Sequence, residues 1–256
     1  MSTPVLRLEG VFIGYGGAPV CQDVDLTVSR GELVVVLGEN GSGKSTLVKG
    51  LLGLAPVTAG SVELFGHQAS APDRRRVGYV PQRTTVAGGV PTSVREVVAS
   101  GRVSRRRWFT PARASDQAAV TAALEAVRLS DRAADPLAQL SGGQQRRALI
   151  ARAMAGEPEL LVMDEPMAGV DASNVELFAQ VVEQWKLRGL TLLVVAHGVG
   201  PLRPLVDRAV VMRRGKVVHN GPLAGDIVAE HDELVAEDHV EPEPSRLAAP
   251  DEPRLA

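Results

Sequence analysis

A glycine-rich loop that ends in a lysine and two hydroxyl residues is the first feature of the chain that could do chemistry. The segment Gly38-Glu39-Asn40-Gly41-Ser42-Gly43-Lys44-Ser45-Thr46 fits the pattern G-x-x-x-x-G-K-[ST]. Glycines let successive backbone N–H groups point at phosphate oxygens, and the N-terminus of a following helix adds partial positive charge. The pattern predicts that Lys44 contacts the β- and γ-phosphates of a nucleoside triphosphate and that the Ser45 hydroxyl ligates Mg²⁺. The other loop residues expected to contact the nucleotide are Gly38, Asn40, Gly41, Gly43 and Thr46.

Two adjacent carboxylates follow an apolar run further along the chain. Asp164 and Glu165 come directly after Leu160-Leu161-Val162-Met163, which has the composition of a buried strand. A carboxylate at the last strand position can hold Mg²⁺ through its water shell, and the next residue can orient or deprotonate an attacking water. We therefore expect Asp164 to hold the metal and Glu165 to act as the general base.

A second helix end suited to anions lies between these two features. Leu140-Ser141-Gly142-Gly143-Gln144 precedes the helical pattern of Gln145–Ala155, with a serine at the N-cap and two glycines in the first turn. One nucleotide site does not need two such helix ends. We expect Ser141, Gly142, Gly143 and Gln144 to contact the nucleotide that another copy of the protein holds.

The elements that must position these residues have the sequence of a mainly parallel sheet covered by helices. The continuous apolar runs, typical of strands buried on both faces, are Leu33–Leu37, Val77–Val80, Leu160–Met163 and Leu190–Ala196. Shorter strand patterns occur at Leu6–Phe12, Val24–Val28, Asp207–Met212 and Lys216–His219. The apolar-periodic segment Thr46–Leu54 predicts a helix directly after the loop.

Two stretches depart from this pattern. Between about residues 88 and 156 the chain is rich in Ala and Arg, with helical spacing at Ser93–Ser100, Ser115–Arg128 and Gly142–Ala155, which predicts an inserted helical subdomain. From Ala229 to Ala256 there are nine acidic residues and two basic ones, with four prolines. This composition predicts a flexible acidic tail.

Composition excludes several classes of protein. The 256 residues contain 28 Lys+Arg and 30 Asp+Glu, and the net charge of −2 offers no overall attraction to nucleic acid. Cys21 is the single cysteine, which excludes an intrachain disulfide and a multi-cysteine zinc site, so we expect it to be a small buried hydrophobe. Since no apolar run approaches the ~18 residues that span a bilayer and the N-terminus lacks a secretory pattern, we expect a cytoplasmic protein.

The three motifs together resemble the nucleotide-binding subunit of an ATP-binding-cassette (ABC) transporter, over nearly all of the chain from about Leu6 to Ala229. Gly38–Thr46 is similar to the Walker A loop of that family, Leu160–Glu165 to its Walker B strand and Leu140–Gln144 to its signature motif. The resemblance implies an α/β fold, with a P-loop NTPase core of mainly parallel strands, an N-terminal antiparallel β region and the inserted helical subdomain. It also implies ATP and Mg²⁺ as ligands, an ATPase domain over residues 1–228 and a tail over residues 229–256.

Four further residues match minor motifs of the family. By this resemblance Tyr15 stacks on adenine, Gln82 touches Mg²⁺ and the lytic water, His197 contacts the γ-phosphate, and Asp171 belongs to the loop that crosses the dimer interface. The sequence departs from the usual pattern at Ala168-Gly169, before the aspartate, and at Gly198. Neither departure removes a catalytic group.

The resemblance implies a working unit of two such chains arranged head to tail, with ATP between the Walker A loop of one and the signature motif of the other. Closure and reopening of this dimer would drive a separate transmembrane permease subunit, so the chain is expected at the cytoplasmic face of the cell membrane. An extracytoplasmic substrate-binding protein is expected in the same system, and no nucleic acid.

A shorter resemblance concerns the transported solute. Four segments are similar to parts of subunits that serve zinc or manganese importers: Gly78–Arg83, Val90–Val98, Gly101-Arg102 and Pro204–Arg208. The alternatives are an importer of a different solute, an exporter, or a soluble ABC ATPase that acts on DNA or ribosomes. The last is disfavoured because the chain has one cassette and no heptad run between Lys44 and Ser141.

Overall fold

Strands buried on both faces form the centre of the larger of two sheets. The structure is a computed structural model that describes residues 4–82, 92–105, 113–168 and 172–223. Every residue of β3 (Leu33–Leu37), β7 (Leu160–Asp164) and β8 (Thr191–Val195) is buried. The sheet also contains β6 (Val77–Val80), β9 (Arg208–Arg213) and β10 (Lys216–Gly221), in the order β10-β9-β3-β8-β7-β6. All neighbours pair in parallel except β9 and β10, which form a terminal antiparallel hairpin.

The smaller sheet is antiparallel and comes mainly from the N-terminal part of the chain. Its strands are β1 (Leu6–Ile13), β2 (Cys21–Val28), β4 (Val57–Leu64) and β5 (His67–Gln68), in the order β2-β1-β4-β5. The expected N-terminal antiparallel region is therefore confirmed, although β4 and β5 were not among the strands predicted above. The first half of β4 is exposed, so its sequence lacks the alternation that reveals a half-buried strand.

Helices cover the larger sheet and form the inserted subdomain. Among the described residues they are α1 (Lys44–Leu51), α2 (Ala71–Arg74), α3 (Val94–Ser100), α4 (Ala114–Ala126), α5 (Gly142–Ala155) and α6 (Ala172–Leu187). The helices α3, α4 and α5 pack against one another, and no strand lies in the described residues between 92 and 156. The helical patterns predicted above correspond to these three elements, and α1 begins two residues earlier than its apolar spacing indicated. The acidic tail and parts of the subdomain lie outside the described residues, so the proposed domain boundaries stay predictions.

Apolar side chains on the two faces of the larger sheet belong to two separate clusters. Val35, Leu161 and Val194 point to the face covered by α5 and α6. Val34, Val162 and Leu193 point to the face covered by the smaller sheet and α1. Because side chains alternate along a strand, a sheet buried on both faces requires the unbroken apolar runs seen in the sequence. This arrangement leaves the strand ends as the places where polar side chains can gather.

Candidate active site

The predicted chemical residues lie at the carboxyl ends of neighbouring parallel strands. Gly38 follows β3, and Asp164 is the last residue of β7. Gln82 comes two residues after β6, and His197 two residues after β8. In parallel sheets these ends meet at one edge, where ligand sites of α/β proteins form.

The glycine-rich loop has a backbone that only glycine adopts without strain at two critical positions. Gly38 has φ +153° and Gly43 has φ +102°. A Cβ atom on Gly38 would collide with the carbonyl oxygen of Met212 and the hydroxyl of Ser42. The loop is also anchored on the β9–β10 turn, where the Gly215 amide donates to the Ser42 carbonyl at 2.9 Å. The loop shape is therefore set by its own glycines and by main-chain contact with the β9–β10 hairpin.

Lys44 is buried inside this loop. Its Nζ donates to the carbonyl oxygens of Gly38 at 2.5 Å and Glu39 at 2.9 Å, and the residue is 5% exposed. Burial lowers the pKa of Lys44, while the carboxylates of Glu165 and Asp164 act in the opposite direction. The ammonium is thus held at the centre of the loop by oxygen atoms, as a phosphate-binding lysine requires.

Ser45 and Asp164 supply the oxygen atoms that could hold a magnesium ion. The Ser45 Oγ donates to Asp164 Oδ1 at 3.4 Å, which joins the start of α1 to the end of β7. Asp164 is 3% exposed, and burial raises the pKa of its carboxyl group. Hard oxygen ligands beside the lysine of a predicted phosphate loop would fit Mg²⁺, which typically takes one or two protein ligands and completes its shell with phosphate and water. The described residues contain no cluster of three or more His, Cys, Asp or Glu side chains that could hold a metal.

The Glu165 carboxylate lies between two polar side chains from neighbouring strand ends. Gln82 Nε2 donates to Glu165 Oε2, and His197 Nε2 lies 2.7 Å from Glu165 Oε1. The Glu165 amide donates to the Val195 carbonyl at 2.8 Å, which fixes the backbone beside β8. Glu165 has φ +49°, an uncommon conformation for a side chain of this size that marks a constrained position. The structure thus brings together the three residues that the sequence predicted to be catalytic.

Arg146 belongs to the same site and was missed by the sequence reasoning. Its guanidinium, on the first turns of α5, donates to main-chain carbonyl oxygens that follow β6 and β7. Burial lowers the pKa of Arg146, and the carboxylates of Asp164 and Glu165 oppose this. The motif pattern gave no signal for it, because its partners are carbonyl oxygens, which every residue carries.

The signature residues form an exposed helix start rather than part of this cluster. The Ser141 Oγ accepts from the Gln144 amide at 3.3 Å, and the Gln144 Oε1 accepts from the Ser141 amide at 3.0 Å. These reciprocal bonds make a capping box at the N-terminus of α5. Ser141 and Gly142 are exposed, and within the described part of the chain no hydrogen bond joins the motif to the loop Gly38–Ser45. In a single chain, the start of α5 therefore faces solvent.

The remaining predicted residues range from exposed to buried. Tyr15 lies in the bend after β1 and is 60% exposed, so its ring is free to meet a ligand. Asn40 and Gly41 are exposed at the loop tip, and Thr46 is half-buried in α1. Asp171 lies outside the described residues. Cys21 is buried as expected, and burial raises the pKa of its thiol to about 11.

Comparison with known proteins shows which family combines these motifs with this fold. A family model described as ABC transporter matches residues 21–168. The chain is 37% identical over 212 residues to the manganese transport system ATP-binding protein MntB of Bacillus subtilis, which covers 83% of this chain and 84% of that protein. It is 35% identical over 226 residues to the zinc transport system ATP-binding protein TroB of Treponema pallidum, with coverage of 88% and 84%.

A solved structure supports the fold prediction. An ATP-binding cassette of an ABC transporter superposes with a TM-score of 0.79 at 24% identity, covering 94% of this chain and 100% of that one. The predicted fold, with its parallel core, antiparallel region and helical insertion, is confirmed. None of the helices in the described ranges combines the length and apolar character that crossing a bilayer requires.

Proposed function

The chain belongs to the ABC transporter family, and from this premise we propose that it is the ATP-hydrolysing subunit of a system that imports manganese or zinc. As a member of the family it binds ATP and couples ATP hydrolysis to transport. The observation that carries the catalytic part of the proposal is the Glu165 carboxylate, held between Gln82 and His197 at the strand ends beside Lys44.

Each side chain of this cluster has a role that follows from its chemistry. Phosphoryl transfer needs alignment and charge stabilisation more than covalent chemistry. Lys44 compensates negative charge on the phosphates, while Glu165 orients the attacking water and accepts its proton. Gln82 and His197 fix the direction of the Glu165 carboxylate and lie where they can contact the water and the γ-phosphate. When bound by Ser45 and Asp164, Mg²⁺ supplies further charge neutralisation at the phosphates.

A second copy of the chain completes the site in this proposal. The Ser141–Gln144 helix start, exposed at Ser141 and Gly142, offers the amides of its two glycines and a partial positive charge that its own loop does not use. The nucleotide then lies between the loop of one chain and this helix start of the other, with Asp171 near the interface. Water exclusion on closure would favour hydrolysis only in the assembled pair.

The transported solute is proposed from the two relatives, which are named for manganese and zinc transport. Because the chain is similar to ATP-binding subunits of transport systems, a separate permease would carry the path for the ion. The chain would then bind that permease at the cytoplasmic face, and an extracytoplasmic substrate-binding protein would deliver the metal. The metal ion is cargo in this scheme and never reaches the ATP site.

The catalytic proposal is tested by the substitution Glu165→Gln in the purified protein. Loss of the carboxylate charge removes the proton acceptor but keeps the size and hydrogen-bonding capacity of the side chain. We expect steady-state ATP hydrolysis to fall at least about a hundredfold, while ATP affinity stays the same and an ATP-bound dimer accumulates on size-exclusion chromatography. The matched control is Glu159→Gln, the same exchange just before β7 instead of just after it. Full turnover by Glu165→Gln would remove Glu165 from the role of general base.

A further inference from the structure

We propose that Arg146 is a positioning residue that holds Gln82 and Glu165 at the separation hydrolysis requires. This inference rests on the proposed function, because it assigns Arg146 an effect that acts through the general base. The residue lies two positions after Gln144 on α5, so it belongs to the inserted subdomain by sequence and to the catalytic edge of the sheet by contact.

The guanidinium contacts both loops that carry the catalytic side chains. Its Nη1 donates to the Pro81 carbonyl at 2.6 Å and the Gln82 carbonyl at 2.8 Å, after β6. Its Nη2 donates to the Asp164 carbonyl at 2.8 Å, at the end of β7, and to the Glu165 carbonyl at 2.7 Å, directly after it. One planar group therefore bridges the two strand ends.

Every N–H donor of the Arg146 guanidinium has a main-chain carbonyl oxygen as its acceptor. An arginine has five N–H donors in a fixed planar arrangement. Nε uses the remaining donor on the Pro166 carbonyl at 3.3 Å, so the five donors face five main-chain oxygens. Carbonyl oxygens that converge in this way repel one another unless a cation lies among them. Neither lysine nor glutamine can reproduce this contact set, since lysine has three donors and glutamine two.

The positions of these carbonyls determine the positions of the catalytic side chains. Gln82 and Glu165 each bind Arg146 through the main chain and bind each other through their side chains. Glu165 also has the constrained backbone with φ +49°, which persists only where surrounding contacts fix it. Removal of the guanidinium would let the two loops separate, and displacements of about 1 Å at a reacting group can reduce rates by about a hundredfold.

The test compares Arg146→Gln and Arg146→Lys with Arg102→Gln, the same exchange at a buried arginine of the same subdomain. Arg102 bridges the end of α3 to Asp116 of α4 and to the carbonyl of Ala155 at the end of α5, away from the catalytic edge. All variants are assayed at a temperature where circular dichroism shows them folded. We expect kcat to fall at least about tenfold in Arg146→Gln with KM for ATP within about twofold. We expect Arg146→Lys to give an intermediate kcat and Arg102→Gln to lose thermal stability but keep its kcat.

A double-mutant cycle separates positioning from general loss of structure. Single-turnover hydrolysis is measured for Arg146→Gln alone and in the Glu165→Gln background. If Arg146→Gln does not fold, Arg146→Lys replaces it in both backgrounds. If Arg146 acts through Glu165, its substitution costs less than about twofold once the general base is gone. An equal loss in both backgrounds, an unchanged kcat, or the same loss in Arg102→Gln would overturn the inference. Full turnover by Glu165→Gln itself would instead overturn the proposed function.

Discussion

At Gly38 in the nucleotide loop, both the backbone conformation and the neighbouring atoms favour glycine over every other residue. Its φ of +153° and the adjacent Met212 carbonyl and Ser42 hydroxyl leave no room for a side chain. We expect Gly38→Ala to lower the melting temperature by about 5 °C and to weaken ATP binding, because overpacking of about 1–3 kcal/mol adds to backbone strain. Thermal denaturation and a fluorescent ATP analogue measure both effects.

The control for this prediction is Gly17→Ala, also a glycine outside regular structure. A Cβ atom there meets nothing within 4 Å, and Gly17 has no positive φ. Its melting temperature should stay within about 1 °C of the unsubstituted protein. If Gly38→Ala behaved like this control, the loop would not have the rigid shape described above.

At the residue scale, the sequence predicted what depends on side-chain type and spacing. Lys44, Ser45, Asp164 and Glu165 were predicted because short sequence patterns with defined flanking elements indicate their chemistry. Arg146 was not predicted, because the role proposed for it depends on main-chain carbonyl oxygens that only the folded chain brings together. The contact of Gln82 and His197 with one carboxylate likewise depends on strand order, which no local pattern contains.

At the scale of elements, an ion cluster holds the starts of neighbouring strands together. Glu159, just before β7, accepts from Arg76 Nε at 2.6 Å and from Arg30 Nη2 at 3.1 Å. The hydrogen bond from Arg76 is the main cause that lowers the pKa of Glu159 from its ordinary value of 4.5. Because the folded state has the lower pKa, the ionised form stabilises it, and this contribution is complete above the ordinary value.

This linkage predicts a stability difference that depends on pH. Glu159→Gln should lower the melting temperature at pH 7 by about 1–2 °C, a small effect since the cluster is partly exposed. As the pH falls below about 4.5 the unsubstituted protein should lose this advantage, and the two melting temperatures should converge. Thermal denaturation from pH 3.5 to 7 checks this. A difference that stayed constant over the whole range would mean that the carboxylate charge is not responsible.

The sequence predicted best those helices and strands whose burial pattern is clearest. The bounds of β3, β6 and α5 agree with the sequence, since buried strands and a capped helix leave clear signals. The strand β4 was missed because half of it is exposed and Gly60 interrupts it. The short β5 pairs with β4 through only two residues, too few for any period to appear.

At the scale of the whole molecule, the two halves of the proposed ATP site are separate parts of one chain that no hydrogen bond among the described residues joins. The loop, the carboxylates and Arg146 form one half at the sheet edge, whereas Ser141 and Gly142 face outward at the start of α5. The sequence predicted this division from two helix ends suited to anions, of which one nucleotide site needs only one. The solute is not determined at this scale, because no residue of the ATP site contacts it in the proposed scheme.

The most direct test of the central claim is therefore the manganese and zinc content of cells grown under metal limitation. Cells that carry the unsubstituted protein are compared with cells that carry Glu165→Gln, with Glu159→Gln as the control for expression. We predict that Glu165→Gln lowers the content of one of the two metals to the level of cells that lack the protein, and that Glu159→Gln does not. Unchanged manganese and zinc in Glu165→Gln cells, when the purified protein hydrolyses ATP and the variant does not, would contradict the assignment of metal import.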